Sequence, residues 1–370
     1  MKRDKDGLIR YIRPVIPTPE EWAPYLRESY EVGYFANTGP AARAFESRLR
    51  QKYGRTRAVV TGPNATNSLV ASLQALGVRG KVLTPSYTFT ATAQAILMAG
   101  GEPVFCDIAP DIWAMDPVAA AKLLERGGIT AMLHMRPYGL AHDAAPLERL
   151  AKQHSIPLII DSASGLGSAQ SINGSMGQQG DIEVFSLHAT KVFAIGEGGV
   201  AFMRPELEET FRRVSNFGIR YPDDIVSPGS NSKLSDFQAA VALAVLDRID
   251  GYIAVRQGIA RLYHTALAKL PGVRAVHDPM LSPWQSYPVL LSADRDASQV
   301  MQRALDLGLE LKRGYYRPLH QTAYFRRYAA GALPVTEDIG AHVLCLPAYS
   351  DMTAEDGARV LEIFQQALRT

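Results

Sequence analysis

The sequence predicts an α/β protein: a large domain built on a mostly parallel sheet, then a smaller α+β C-terminal domain. Three observations predict it. Apolar runs of strand length alternate with helical stretches through roughly residue 205, which is the pattern of βαβ units. Those runs are apolar almost throughout, as expected for strands covered by helices on both faces. After about residue 250 the alternation stops and a different order of elements follows. The 370 residues are enough for about two domains at roughly 150 residues each, and for a core that needs no disulfides.

The elements follow in order. Pro19 to Tyr53 reads as helical, interrupted at "ANTGP", with Ala42, Phe45 and Leu49 on one face before Gly54. "RAVVTG" is strand-like, and "NSLVASLQALG" is a helix closed by Gly77. "KVLTP" is a strand, "TATAQAILMAG" a helix, "EPVFCDI" a strand and "DPVAAAKLLER" a helix. "TAMLHM", the helix "AAPLERLAKQH", then "IPLIID", "DIEVFSL" and "GGVAFM" complete the alternation. From Leu234 one helical stretch runs to about Leu270 without proline, with Leu234, Phe237, Val241, Ala244 and Ile249 on one face. "SYPVLL", a helix in "DASQVMQRALDLG" and a last helix "TAEDGARVLEIFQQAL" follow. The expected division is 14–250 for the large domain and 251–370 for the small one, with residues 1–13 packing on the latter.

Composition excludes several classes. Apolar residues make up 47% and charged residues 21%, with a net charge of +2 and no basic block, which argues against a dedicated nucleic-acid or acidic-membrane binder. No run of about 18 apolar residues exists to span a membrane. The N-terminus carries charge with no apolar stretch behind it, unlike a signal peptide, so a cytoplasmic protein is expected. Cys106 and Cys345 both lie in apolar runs and read as buried thiols. The eight histidines show no His-Glu-x-x-His or paired ligand spacing, so no metal site is expected.

In open α/β sheets, ligands bind beyond the carboxyl ends of the strands, and four features lie there. "TGPNATNS" opens a helix whose first N–H groups favour an anion; the ordinary reading is a helix cap. Asp161 ends "IPLII", where a carboxylate needs a positive partner if buried; the ordinary reading is a loop residue. Lys191, flanked by Val192, Phe193 and Ala194, is a nucleophile if desolvated; the ordinary reading is a surface lysine. Phe89 in "TPSYTFTATA" is a platform for a planar ring or a core aromatic. Taken separately, the ordinary readings are favoured. Together the four are what pyridoxal 5′-phosphate (PLP) requires: a lysine to form the imine, a carboxylate for the ring nitrogen, a phosphate cup and an aromatic against the ring.

That ordered set resembles the DegT/StrS family of PLP-dependent sugar aminotransferases over nearly the whole chain, from about Pro14 onward. The segment that carries most of the resemblance is "GDIEVFSLHATKVFAIGEGGVAFM", similar to the family's Gly-Asp-x-x-x-Phe-Ser-x-His-x-x-Lys…Glu-Gly-Gly stretch. "LTPSYTFTATAQAILMAGGEPVFCDI", "YGLAHDAAPLERLAKQHSIPLIIDSA", "GSNSKLSDFQAAVALAVLDRID", "YYRPLH" and "CLPAYSDMT" also match. The resemblance implies the aspartate-aminotransferase fold (PLP fold type I), with Lys191 as the Schiff-base lysine and Asp161 as the ring-nitrogen partner. It implies Ala163 and Phe89 on the two ring faces, and Ala65, Thr66 and Ser186 at the phosphate. It further implies that Asn231 reaches the phosphate of a partner subunit, hence a homodimer with shared active sites. His188, Tyr316 and His320 are the residues it places on the substrate side, although a structural role for the "YYRPLH" pair is an equal reading.

Three positions depart from the family. Asn64-Ala65-Thr66 stands where the family has Ser-Gly-Thr. Ser164 stands where Gln or His contacts the phenolic oxygen of the cofactor. Arg136 replaces a His, and it either binds an anion bidentately or forms an ordinary ion pair. The activity implied is transfer of an amino group from an amino acid, L-glutamate by resemblance, to a keto sugar, most often a nucleotide-linked 3- or 4-keto-(6-deoxy) sugar, in amino-sugar biosynthesis. A keto-cyclitol is the alternative acceptor. A PLP-dependent sugar dehydratase is disfavoured because that offshoot has His where Lys191 stands, and a non-catalytic regulator is disfavoured by the complete set of site residues.

Overall fold

The computed structural model describes residues 7–54, 56–168, 176–222, 224–275 and 277–369. Seven strands form its main sheet: β1 (Ala58–Gly62), β2 (Gly80–Pro85), β3 (Gly101–Cys106), β4 (Ile129–Met135), β5 (Leu158–Asp161), β6 (Ile182–Ser186) and β7 (Gly199–Met203), in the order β1-β7-β6-β5-β4-β2-β3. The β6–β5, β5–β4, β4–β2 and β2–β3 pairs are parallel. β7 runs antiparallel to both β6 and β1, so it alone opposes the direction of the rest. This is the mostly parallel α/β sheet that the sequence predicts. β1, β5, β6 and β7 are buried along their whole length, which is why their sequences are largely apolar. Helices Ala65–Ala75, Thr90–Met98, Pro117–Glu125 and Ala145–Gln153 make the crossovers. The carboxyl ends of the parallel strands therefore gather on one edge, where the amino end of β7 also begins.

After a two-stranded ribbon, β8 (Ile219–Arg220) and β9 (Asp224–Ile225), a second sheet forms from β10 (Val273–Arg274), β11 (Ser286–Leu291) and β12 (Val343–Pro347), all antiparallel. Helices Ile249–Leu267, Ala297–Asp306 and Ala354–Leu368 accompany it, and its core includes Tyr263, Val289, Leu346 and Phe364. Tyr87, Trp113, Tyr138 and Leu140, from loops of the large sheet, belong to the same cluster. The two sheets thus share a continuous apolar contact. β12 and the helix Pro334–His342 were not anticipated as elements.

The long helix expected from Leu234 to about Leu270 is instead two, Asp236–Leu246 and Ile249–Leu267. At the join, both residues bond to partners distant in sequence. Asp247 receives Tyr25 Oη and, at 2.5 Å, Arg48, while Arg248 donates to Glu21 at 2.7 Å. The expected face is also corrected. Leu234, Ala244 and Ile249 are buried, but Phe237 is 45% exposed, because the first of these helices buries almost every other side and turns Phe237 outward.

At the N-terminus, Ile9 donates its N–H to Gly308 at 2.9 Å and bridges Leu309, and the Tyr11 N–H reaches Glu310 at 2.9 Å. Residues 1–6 of the segment expected to pack here lie outside the described residues. Among the described residues, no helix is long and apolar enough to cross a membrane, and no cluster of His, Cys, Asp and Glu has the form of a metal site.

Candidate active site

Lys191 lies in the loop between β6 and β7. That loop is held by its own backbone: Leu187 N–H to Gly198 O at 2.9 Å, Ala189 N–H to Gly196 O at 2.7 Å, and Lys191 N–H to His188 O at 2.8 Å. The buried side chains of Val192, Phe193 and Ala194 anchor it into the core. The half-buried Lys191 side chain donates to Ser164 Oγ at 3.0 Å and to Gln285 Oε1 at 2.8 Å. Burial pushes its amine down to about 8, with Asp161 opposing that shift and Lys312 reinforcing it. A lysine so placed is a usable nucleophile and base.

Asp161 ends β5 and is 4% exposed. It accepts from Thr92 Oγ1 at 2.7 Å and from the Ala163 N–H at 3.1 Å, and Thr92 is in turn hydrogen-bonded to Thr88 at 2.6 Å. Burial raises its pKa, with these two hydrogen bonds and Lys191 acting against the rise. A buried carboxylate whose partners are a hydroxyl, one N–H and a nearby amine has room for one more positive group.

The helix Ala65–Ala75 begins beside these residues. Asn64 caps it, its side chain accepting from the Asn67 N–H at 2.8 Å, which leaves the N–H groups of Ala65 and Thr66 without intrahelical acceptors. Ser186 sits opposite Gly199 across the β6–β7 ladder. A Cβ on Gly199 would stand 2.5 Å from the Asn64 carbonyl and 2.8 Å from the Ala65 nitrogen. This close backbone approach brings the Ser186 end of β6 to the start of the helix.

The remaining predicted residues fall in several environments. Phe89 is the N-cap of helix Thr90–Met98 and is 64% exposed. Ala163 follows Asp161 and is half-buried. Asn231 is exposed, in an isolated bridge with Asn216. His188 bonds Thr190 at 2.9 Å and approaches Glu197 at 3.5 Å. Tyr316 is 49% exposed, with the Arg313 guanidinium 3.3 Å above its ring. His320 is 6% exposed, and both its ring nitrogens are engaged, Nδ1 by Ser86 at 2.7 Å and Nε2 by Glu337 at 3.1 Å.

The two readings of Arg136 are separated by geometry. It is 1% exposed and bonds Glu183 at 2.7 Å, Gln179 and Met176. Ser162 also donates to Glu183, at 2.5 Å, and the Arg136 N–H bonds the Asp161 carbonyl at 2.9 Å. It is therefore a buried ion pair that supports the backbone behind Asp161.

Gln285 is the site residue that the sequence did not disclose. It immediately precedes β11, on the small sheet, so a search along the carboxyl ends of parallel strands passes it by. Its signal is slight: one polar residue between Trp284 and an apolar strand.

The residues present fit PLP. They offer a nucleophilic amine, a buried carboxylate with spare capacity, and a helix N-terminus for a phosphate. Comparison with known proteins agrees. A family model described as the DegT/DnrJ/EryC1/StrS aminotransferase family matches residues 18–365. Protein Mb3436c of Mycobacterium bovis is 33% identical, over 97% of this chain and 90% of its own. The dTDP-4-amino-4,6-dideoxy-D-glucose transaminase of Shigella dysenteriae is 28% identical, over 96% of this chain and 97% of its own. A solved Bacillus cereus structure described as a PLP-dependent aminotransferase is 27% identical and superposes with a TM-score of 0.91, covering 97% of this chain and all of the other.

Proposed function

The chain belongs to the DegT/DnrJ/EryC1/StrS aminotransferase family and is a PLP-dependent aminotransferase; from that premise we propose that it moves an amino group from L-glutamate to a nucleotide-linked keto sugar, a 3- or 4-keto-6-deoxy sugar. The observation that carries the reading is the pairing of Lys191 with Asp161: a half-buried amine lowered to about 8, coupled to a buried carboxylate at the end of β5. The Shigella relative, a transaminase named for a dTDP-linked amino sugar, supports the acceptor class.

When bound, PLP supplies a protonated ring that takes up the electron pair left at the donor Cα. Asp161 holds the proton on the ring nitrogen. Lys191 would hold the cofactor through its amine and would serve as the acid and base that moves the proton at the donor Cα. Ala65 and Thr66, at the helix N-terminus, and Ser186 hold the phosphate. Ala163 and Phe89 flank the ring, and the exposure of Phe89 leaves its face available. Ser164 stands beside Lys191. His188 and Tyr316, both partly exposed, are on the substrate side. His320, with both nitrogens engaged, ties the end of the "YYRPLH" segment to Ser86 and Glu337.

The same reading makes the enzyme a homodimer in which Asn231 completes the partner's phosphate site. Exposed Phe217, Tyr221, Ile225 and Val226 near Asn231 in the chain support an apolar interface there. It also divides the chain near residue 250 and places the protein in the cytoplasm, where free buried Cys106 and Cys345 suit a reducing compartment.

The test is spectral. Wild-type protein mixed with PLP is expected to gain a visible absorption band that Lys191→Ala lacks. The pyridoxamine form is then offered a panel of nucleotide-linked 3-keto and 4-keto sugars and keto-cyclitols, and its absorbance is lost with the true acceptor. A wild type that stays colourless sinks the reading, and discharge by cyclitols alone replaces the sugar.

A further inference from the structure

Lys191, Ser164 and Gln285 form a closed triangle. Lys191 Nζ donates to Ser164 Oγ at 3.0 Å and to Gln285 Oε1 at 2.8 Å, and Ser164 Oγ donates to the same Oε1 at 2.8 Å. Both lone pairs of the amide oxygen are thereby taken. Gln285 is fixed from behind. Trp284 and Ser286 on either side are buried. Arg256, also buried, donates to the Trp284 carbonyl at 2.8 Å and to the Gln285 carbonyl at 3.4 Å.

A neutral amine has two N–H bonds and one lone pair. Two fixed acceptors occupy both N–H bonds, so the lone pair becomes the one free position on the nitrogen. We propose that Gln285 is a positioning residue for Lys191: its amide oxygen, acting with Ser164, aims the lysine lone pair for attack. Ser164 Oγ takes one of the two N–H groups. Gln285 supplies the second acceptor from the small sheet, so the aim of the lysine depends on how the two sheets are seated together.

The step it assists is capture of PLP. The amine lone pair adds to the aldehyde carbon, a C–N bond forms as the C=O opens, and the oxygen leaves as water with both amine hydrogens. Burial and two charged groups set the charge of Lys191: Asp161 at the end of β5 favours the ammonium, and Lys312 opposes it. A carboxylate at position 285 adds an anion to this set and favours the ammonium form.

This inference rests on the aminotransferase reading, and its test separates the two. Apoprotein is mixed with PLP in a stopped-flow spectrometer from pH 6 to 10, and the rise of the visible band is followed. Gln285→Met keeps the length and removes the acceptor; it is expected to slow the rise by about tenfold, roughly 1.4 kcal/mol in barrier. Gln285→Glu keeps the acceptor; it is expected to recover the rate at high pH, with the midpoint moved up by about one unit. Pyridoxine 5′-phosphate, which lacks the aldehyde, is expected to bind all three proteins equally. A wild-type rate and midpoint in Gln285→Met overturns the proposal. So does equal slowing of both variants at an unchanged midpoint, which marks a structural role. If wild type itself gains no band, the aminotransferase reading fails.

Discussion

An ordinary lysine near 10.4 is less than about one part in a thousand neutral at pH 7, and its position among Ser164, Gln285 and Asp161 is what changes this for Lys191. With its amine lowered to about 8, roughly a tenth is neutral at pH 7. The neutral amine is the reactive form, so the rate of PLP capture by apoprotein is expected to rise with pH, reach half its maximum near 8 and level off above. Asp161 opposes the shift, so Asp161→Asn removes an anion that favours the ammonium, and its midpoint is expected below that of wild type. A midpoint that stays near 10 in wild type refutes the placement. Arg136 gives a different kind of prediction. Arg136→Ala leaves Glu183, fully buried, without its cation, which costs about 3–5 kcal/mol and is read as a large fall in melting temperature. Lys191 and Asp161 were legible as candidates because Asp161 ends β5, Lys191 lies in the loop after β6, and each falls within a dense local motif. Gln285 was not, because what makes it part of the site is a contact across 94 residues of chain. The role of Arg136 was not, because Glu183 lies on another strand and only the fold buries the pair.

Elements were legible to the degree that burial alone decides them. β1 and β5 to β7 have no solvent face, so they are largely apolar and their apolar runs announce them, with Glu183 inside β6 accommodated as the buried partner of Arg136. The break at Asp247–Arg248 has no such marker, since neither proline nor glycine stands there. The two residues there bond to Tyr25, Arg48 and Glu21, partners distant in sequence that no local pattern announces. The junction of β7 with the helix Ala65–Ala75 is another contact of this kind, and it is testable. Gly199→Ala places a methyl group 2.5 Å from the Asn64 carbonyl, so the helix start must move away from β6. The phosphate contacts weaken with it, and PLP affinity is expected to drop by roughly tenfold, about 1.4 kcal/mol, as measured by fluorescence titration. The visible band at saturation is expected to persist, because Lys191 is untouched. Unchanged affinity means that the helix N-terminus does not hold the phosphate.

At the scale of the whole molecule, the proposed dimer would cover the exposed Asn231 and the apolar residues Phe217, Tyr221, Ile225 and Val226. Shared sites make a quantitative prediction that separate sites do not. Lys191→Ala removes the amine from a protomer's own site, and Asn231→Asp places an anion at the phosphate of its partner's site. Each homodimer is expected to be inactive. In a heterodimer of the two, one site carries both defects and the other carries neither, since it draws Lys191 from the Asn231→Asp chain and Asn231 from the Lys191→Ala chain. Random exchange of two-fold dimers makes half of the population heterodimeric, each with one of two sites intact, so an equimolar mixture is expected to regain about a quarter of wild-type activity. If each site were built from one chain, every site in the mixture would carry one defect or the other, and no activity would return. Measuring transamination before and after exchange, with dimer exchange followed by differently tagged chains, decides between the two architectures.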